Sequence, residues 1–350
     1  MVKRLIVHLG DCKTGSTSIQ AILAHRSWQS NAHTLSYPTQ FNHGGLAKSL
    51  NIQSQIQFKH KRFKDISRRL RESDADIGVI SSEAFEFCDP HLLNDAINEY
   101  LPEFKDSVSL ISYVRPHCNR ILASFAEQIK KGGFNGSLSE FCHYFVVEKK
   151  RTVYLSRCQR WREVFGSRYQ VRPMIADLLY HKDVVIDFLY QCFGDDQFRT
   201  TAPTRHNESL TLEDLAILRY MHLKLLTVKD QRLIGQSRLG SHLSVILSEM
   251  PGIKKTKLIF HKNLIEEVVE MNRSDAEDMD ASFFVDMNSP MQSALELALT
   301  KSCDQEQSLD AKNHYSDETL RIVDCWLKFA ERLLDADPIS FVKMSRIPGR

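Results

Sequence analysis

The first twenty residues constrain this chain more than any other segment. An aliphatic run at residues 3–9 leads into a loop bounded by Gly10 and Gly15, and hydroxyl residues then begin an apolar helical pattern. This order predicts a strand, a tight loop and a helix. The backbone N–H groups of such a loop, together with the positive end of the helix dipole, point at one bound anion. The sequence therefore predicts a phosphate site directly after its first strand.

The loop differs from the P-loop of nucleoside triphosphatases in the position of its lysine. Gly10 and Gly15 have the separation of the motif G-x-x-x-x-G-K-[ST], but Ser16 stands at the lysine position and Lys13 lies inside the loop. In that motif the lysine reaches the β- and γ-phosphates and the next hydroxyl holds Mg²⁺. Lys13 suits instead a single 5′-phosphate and a leaving group that needs no metal. A P-loop kinase or nucleotide hydrolase is the alternative.

A second strand candidate, at residues 107–114, ends at Arg115. Pro116 and a helical pattern at residues 117–131 follow at once. Proline is favoured in the first turn of a helix, and an arginine at the carboxyl end of a strand brings a planar cation to the mouth of the sheet. This segment therefore predicts a second place where an anionic group binds.

These two segments resemble the sulfotransferases that use 3′-phosphoadenosine 5′-phosphosulfate (PAPS), in particular the bacterial, carbohydrate-sulfotransferase-like type. Residues 161–174, 185–189 and 205–211 resemble later segments of the same family, so the likeness spans roughly residues 3–215 in the expected order. It implies an α/β fold, a three-layer parallel sheet of the P-loop/sulfotransferase type. We expect a PAPS-binding core at residues 1–210 and a mainly helical region at 211–350, packed as a separate or a common domain.

The resemblance also implies the chemistry. Glu83, just after a strand candidate at residues 76–81, corresponds to the base that takes the proton from the acceptor hydroxyl, and Lys13 stabilises the leaving 5′-phosphate. His8 is the alternative base, because imidazole suits proton transfer near neutral pH. His43 and Glu83 would face the acceptor. Each has a structural alternative: a capping or ion-paired Glu83, a His8 that is a satisfied structural group, and a His43 that stabilises a turn.

The remaining implied contacts are to the nucleotide. The 5′-phosphate group would be held by the loop, namely Lys13, Thr14, Gly15, Ser16, Thr17 and Ser18, and the 3′-phosphate by Arg115 and Ser124. Arg205, in the polar loop at residues 205–211, is a further implied nucleotide contact. The family serine lies eight residues after the arginine, where this chain has Ala123, so Ser124 is displaced by one position. Either the preceding turn absorbs one residue or another group replaces the serine.

The expected acceptor is a hydroxyl, or as a second option an amine, on a carbohydrate or polysaccharide. A run of cations at residues 59–71 would attract an anionic glycan, although such a run also suits a solvated helix face. Nucleic-acid binding is disfavoured, because Phe58 and Phe63 have the spacing of core contacts. A non-catalytic nucleotide- or glycan-binding relative is the third possibility.

Composition fits a soluble cytoplasmic enzyme. The 350 residues are 42% hydrophobic, and no apolar run approaches the ~18 residues of a membrane span, so we expect no stable membrane insertion. The eight cysteines form no C-x-x-C, and the fourteen histidines show no ligand spacing, which predicts reduced thiols and no metal site. Besides those named, we expect a strand at residues 168–175, helices at 18–30, 90–104, 138–149, 153–165 and 182–193, and a mobile excursion within 273–316.

Overall fold

The strands form a parallel sheet of five members and a separate antiparallel pair. The computed structural model describes residues 2–203, 210–225, 230–250, 252 and 254–337. Its strands are β1 Arg4–His8, β2 Trp28–Ser30, β3 Leu35–Ser36, β4 Ile77–Ser81, β5 Ser109–Val114, β6 Tyr169–Pro173 and β7 Phe198–Thr200. The order across the large sheet is β3-β4-β1-β5-β6, and β2 pairs with β7. This confirms the predicted α/β class with a parallel sheet.

The sheet belongs to the first of two units into which the chain divides, Met1–Pro116, Val153–His206 and Ser274–Ser293. Six helices lie wholly in this unit: α1 Ser16–Ala24, α2 Gly44–Asn51, α3 Lys59–Arg71, α4 Pro90–Tyr100, α7 Leu155–Phe165 and α8 Val184–Phe193. Short helical turns, among them Glu83–Phe87, connect them.

Helices cover both faces of the sheet. On one face, Ile19 of α1 and Phe188 of α8 pack with Ile6 of β1 in one buried cluster. On the other face, α3 lies so close to β4 that a Cβ added to Gly78 would be 2.7 Å from Cδ2 of Leu70. Parallel strands need this double cover because both of their faces are apolar. The three-layer arrangement predicted from the sequence is therefore present.

The second unit, which comprises His117–Thr152, Asn207–Arg273 and Ala294–Arg350, is helical in its described part. It contains α5 His117–Lys131, α6 Leu138–Cys142, α9 Leu212–Lys224, α10 Asp230–Glu249 and α13 Asp317–Ala336. Two further helices, α11 Lys262–Phe283 and α12 Pro290–Thr300, have residues in both units. The predicted boundary at residue 210 stays a prediction.

Local structure differs from the sequence prediction in two places. The helix predicted at residues 18–30 ends at Ala24, and residues 28–30 form β2 instead. The helix predicted at residues 138–149 is divided into α6, which ends at Cys142, and a π-helical turn at His143–Glu148. The segment 273–316 contains the end of α11 and all of α12, and a mobile excursion between its helices stays a prediction. Within the described ranges, no helix is both long and apolar enough to cross a lipid bilayer.

Candidate functional site

Three neighbouring strands bring the main predicted residues to one edge of the sheet. His8 at the end of β1 is in register with Ser81 of β4 and with Ile111 of β5. The chain beyond β1 is the glycine-bounded loop, the chain beyond β4 continues into Glu83, and the chain beyond β5 continues into Arg115. Ligands of open α/β sheets bind at this carboxyl edge.

The loop after β1 has a backbone that leaves little room for side chains. Lys13 and Gly15 adopt left-handed conformations, with φ values of 68° and 81°. A Cβ added to Gly10 would lie 2.6 Å from Oγ of Ser16 and 3.4 Å from Cα of Glu83. The backbone of Glu83, the predicted base, therefore lies directly beside the loop that contains Lys13.

The hydroxyl residues of the loop divide into two groups. Thr14 and Ser16 are buried, and their hydroxyls donate to the backbone carbonyl of Asp11 at 2.6 and 3.4 Å. Thr17 is exposed and Ser18 half-buried. The N-cap residue of α1 is Gly15, which has no side chain to cap the helix, and the first turn of α1 has no acidic residue. The first amides of α1 can therefore bind an anion without competition from a capping side chain.

An arginine that the sequence analysis missed joins the loop to the chain after β4. Arg157 of α7 donates to both carboxylate oxygens of Asp11, at 3.0 and 2.8 Å, and to Oε1 of Glu86 at 2.7 Å. The other oxygen of Glu86 accepts the backbone N–H of Cys12 at 2.9 Å. Both residues that precede Lys13 are thus linked to the short helical turn that begins at Glu83, Asp11 through the guanidinium and Cys12 directly. We call these three side chains, Asp11, Glu86 and Arg157, the carboxylate–arginine network.

The guanidinium of Arg157 stays charged. Burial lowers the pKa of Arg157, but the carboxylates of Asp11 and Glu86 outweigh this effect and hold the pKa well above its ordinary value. The only sign of this network in the sequence is Asp11, an acidic residue inside an otherwise small and polar loop. Arg157 could not be inferred as its partner, because an arginine on an amphipathic helix usually faces water.

His8 is a core residue beneath the loop. It is fully buried, its Nδ1 lies 2.8 Å from Oγ of Ser81, and its ring packs against Phe188 at 5.0 Å between centroids. Gln20 donates to the same Oγ at 3.1 Å. Burial lowers the pKa of His8 to about 3. Glu83, in contrast, is half-buried at the edge of the sheet.

His43 presents a buried nitrogen beside the strand end of β4. The backbone N–H of Ser81 donates to Nδ1 of His43 at 3.1 Å, so the neutral ring carries its proton on Nε2. That Nε2 is buried and, among the described residues, has no hydrogen-bond partner. Burial, ahead of smaller contributions, lowers the pKa of His43 to about 3.

The predicted nucleotide contacts outside the loop lie in different parts of the chain. Arg115 is half-buried at the end of β5, where its backbone carbonyl accepts the hydroxyl of Tyr154 at 2.7 Å. Ser124 is buried in α5 and belongs to the second unit. Arg205 lies outside the described residues. All three assignments stay predictions.

The cations of α3 are largely engaged with neighbouring acids. Arg71 pairs with Glu103 at 2.8 Å, and Arg68 contacts both Asp65 and Glu72 at 2.9 and 2.8 Å. Lys59 and Arg69 also form ion pairs, with Glu99 and Asp65. This pairing fits the solvated-face interpretation of the run better than a dedicated site for an anionic glycan.

Comparison with known proteins gives one structural likeness. No protein-family model matches the chain, and no curated protein matches it. A crystal structure of a sulfotransferase from Alicyclobacillus acidocaldarius matches 85% of this chain and 99% of its own, at 11% sequence identity and a TM-score of 0.43.

Proposed function

We propose that this protein is a PAPS-dependent sulfotransferase that transfers a sulfuryl group to a hydroxyl, or secondarily an amine, of a carbohydrate acceptor. The observation that carries the proposal is the close approach of two segments. The backbone of Glu83 borders Gly10 of the loop that holds Lys13. A base and a cation beside one anion-binding loop are what in-line transfer from an anionic donor requires.

The fit to a 5′-phosphate group rests on the loop itself. Its left-handed backbone and its lack of a side-chain cap leave amides for phosphate oxygens, and a Cβ at Gly10 would collide with Ser16. Arg115, at the end of the neighbouring strand, supplies a planar donor set suited to the 3′-phosphate. This second contact is the one that distinguishes the bisphosphorylated nucleotide from ATP.

In the proposed mechanism Glu83 accepts the proton of the acceptor hydroxyl, and Lys13 donates to the oxygen that leaves with the 5′-phosphate. The donor supplies the sulfuryl group, whose bond to that oxygen breaks as the bond to the acceptor oxygen forms. We assign the base to Glu83 rather than to His8, since His8 is fully buried and its pKa is lowered to about 3. We propose that His43 faces the acceptor, with its buried Nε2 reached only after neighbouring side chains move aside.

Calorimetric titration with adenosine 3′,5′-bisphosphate, and separately with ATP and Mg²⁺, tests the donor class. We expect the bisphosphate to bind without metal and to lose most of its affinity in the Arg115→Ala variant. Tight binding of ATP with Mg²⁺ and none of the bisphosphate would support the P-loop kinase or hydrolase instead.

Single-turnover transfer from PAPS to a panel of sugars tests the two catalytic assignments. We expect Lys13→Ala and Glu83→Gln each to lower the rate by about 10²–10⁴-fold, the range for a general base or a key electrostatic donor. Lys64→Ala and Glu99→Gln are matched controls on exposed side chains. Full activity of both site variants would contradict the mechanism, and binding without transfer to any acceptor would support the non-catalytic alternative.

A further inference from the structure

The last described helix, α13, has an apolar stripe on its outer surface. Ile322, Trp326, Phe329 and Leu333 are 53%, 68%, 54% and 40% exposed. The opposite side of the same helix is buried within the protein and consists of Leu320, Leu327 and Leu334. The helix therefore has more apolar surface than its own fold covers. We call the four exposed side chains the outer stripe.

The spacing of the outer stripe is that of a helix-pairing seam. Its members follow one another at intervals of four, three and four residues, which is the alternation of a and d positions in a coiled coil. This sequence of intervals is the same from either end. An antiparallel pair of identical helices, related by a two-fold axis, therefore sets Trp326 against Phe329 and Ile322 against Leu333 at both ends of the contact.

The residues beside the outer stripe do not oppose such pairing. One flank is formed by Val323 and Ala330, which are apolar, and the other by Cys325 and Arg332. In the antiparallel arrangement Val323 faces Ala330 and Cys325 faces Arg332, so no like charges meet across the seam. The charged residues Arg321, Lys328 and Asp335 lie farther round the helix.

The area is sufficient for a specific contact. With 150–250 Å² for an aromatic side chain, the exposed fractions leave about 250 Å² of the two rings and, with the aliphatic pair, about 400 Å² of apolar surface per copy. Two copies and their flanks then bury more than about 1,000 Å², the size expected of a biological interface. Trp326 and Phe329 already contact each other edge to face at 6.3 Å, which limits the side-chain freedom lost on pairing.

We propose that the outer stripe of α13 binds the same stripe of a second copy of this chain, giving a two-fold antiparallel helix contact. The surface lies on the second unit and is independent of the sulfotransferase assignment. Aromatic side chains at the centre of such a contact supply most of its affinity.

Sedimentation velocity of the full chain over a wide concentration range tests this proposal. We expect a reversible dimer whose dissociation constant rises at least about 100-fold in the double variant Trp326→Lys, Phe329→Lys. Leu297→Lys, which replaces a 52% exposed leucine of α12, is the matched control and should leave the dimer unchanged. A short bismaleimide should cross-link two wild-type chains through Cys325 and fail with Cys325→Ser.

Two outcomes would overturn the proposal. The first is a wild-type chain that stays monomeric at every concentration, or a control variant that dissociates as readily as the double variant. The second is a chain ending at Asp337 that dimerises while the full chain does not, because residues 338–350 would then be the natural cover of the outer stripe. Circular dichroism of each variant establishes that the helices are retained.

Discussion

Replacing Arg157 with methionine removes a half-buried cation, 23% exposed, while keeping an unbranched side chain. The variant loses three hydrogen bonds of 2.7–3.0 Å to Asp11 and Glu86. The side chains of these two acids are only 3% and 2% exposed, so the variant leaves two carboxylates with little access to water. Removing one partner of a buried ion pair costs about 3–5 kcal/mol, and we expect the free energy of unfolding to fall by this amount.

Urea unfolding at pH 7 measures the loss, with an unchanged m value as the sign that the transition stays comparable. Adding Asp11→Asn and Glu86→Gln to the Arg157→Met variant should recover about 2 kcal/mol, because neutral amides remove the buried negative charge. Arg157→Lys keeps the charge but cannot donate to both carboxylates in the same geometry. We expect its stability to lie between those of the wild type and of Arg157→Met.

The pH dependence of the free energy of unfolding shows whether the unpaired carboxylates cause the loss. Without the cation, the pKa values of the buried carboxyls of Asp11 and Glu86 rise in the folded state but not in the unfolded state. Between about pH 4 and the raised pKa values the folded variant then binds more protons, so its deficit relative to the wild type shrinks as pH falls from 7 to 5. A loss below about 1 kcal/mol at pH 7, or a deficit that grows towards acid, would refute the reasoning.

The same variant tests the link to catalysis. Asp11 and Cys12 directly precede Lys13, so a displaced network would move the cation that we propose stabilises the leaving group. A shift of about 1 Å costs about 10²-fold in rate, and we expect kcat to fall by this factor at a temperature where the variant is folded. Unchanged kcat in a folded variant would limit the network to stability.

Three further changes have directions that follow from the structure. Gly15→Ala places a Cβ 2.5 Å from Val184 at a residue with a φ of 81°. Thermal unfolding should therefore show a free energy of unfolding lower by about 1–3 kcal/mol, and titration should show weaker binding of the bisphosphate. Wild-type values in both measurements would contradict this. Asp187→Ala leaves Arg172, which it binds through two contacts of 2.6 Å, without that partner and should cost about 3–5 kcal/mol in urea unfolding, whereas a loss under 1 would not fit. Because the folded pKa of His8 is about 3 and the unfolded value about 6.5, unfolding takes up a proton between these values, and wild-type stability falls as pH drops below 6.5. From pH 7.5 to 5 the wild type should lose about 2 kcal/mol more than His8→Asn, and equal losses would count against this.

The parts of the fold that could be predicted were those with strong local patterns. The strands β1, β4, β5 and β6 are short apolar runs next to clear helical patterns, and the predicted and observed bounds differ by a few residues. The pair formed by Trp28–Ser30 and Phe198–Thr200 could not be predicted, because each strand has three residues and its partner is 170 positions away. Short strands depend on tertiary pairing rather than on their own pattern.

The residues of the candidate site could likewise be predicted only where a local pattern marked them. Lys13, Glu83 and Arg115 could be selected because each follows a predicted strand, and parallel strands end at a common edge. Arg157 could not be predicted as part of the site, since its contact with Asp11 spans 146 positions and nothing in the sequence of α7 marks it as an ion-pair partner. Conversely, the cation run of α3 looked like a binding surface because its partners, such as Glu103, are distant in sequence.

The order of strands also has a consequence for the protein as it leaves the ribosome. β1 is central in the sheet, yet its neighbours β4 and β5 are made about 70 and 100 residues later, which at 5–20 residues per second means a delay of about 4–20 s. Until then the run Leu5-Ile6-Val7 has neither of its strand partners, although α1, which packs against Ile6, is already made. We expect slower synthesis between β1 and β4 to lengthen the time that the edges of β1 stay unpaired, and so to lower the soluble yield.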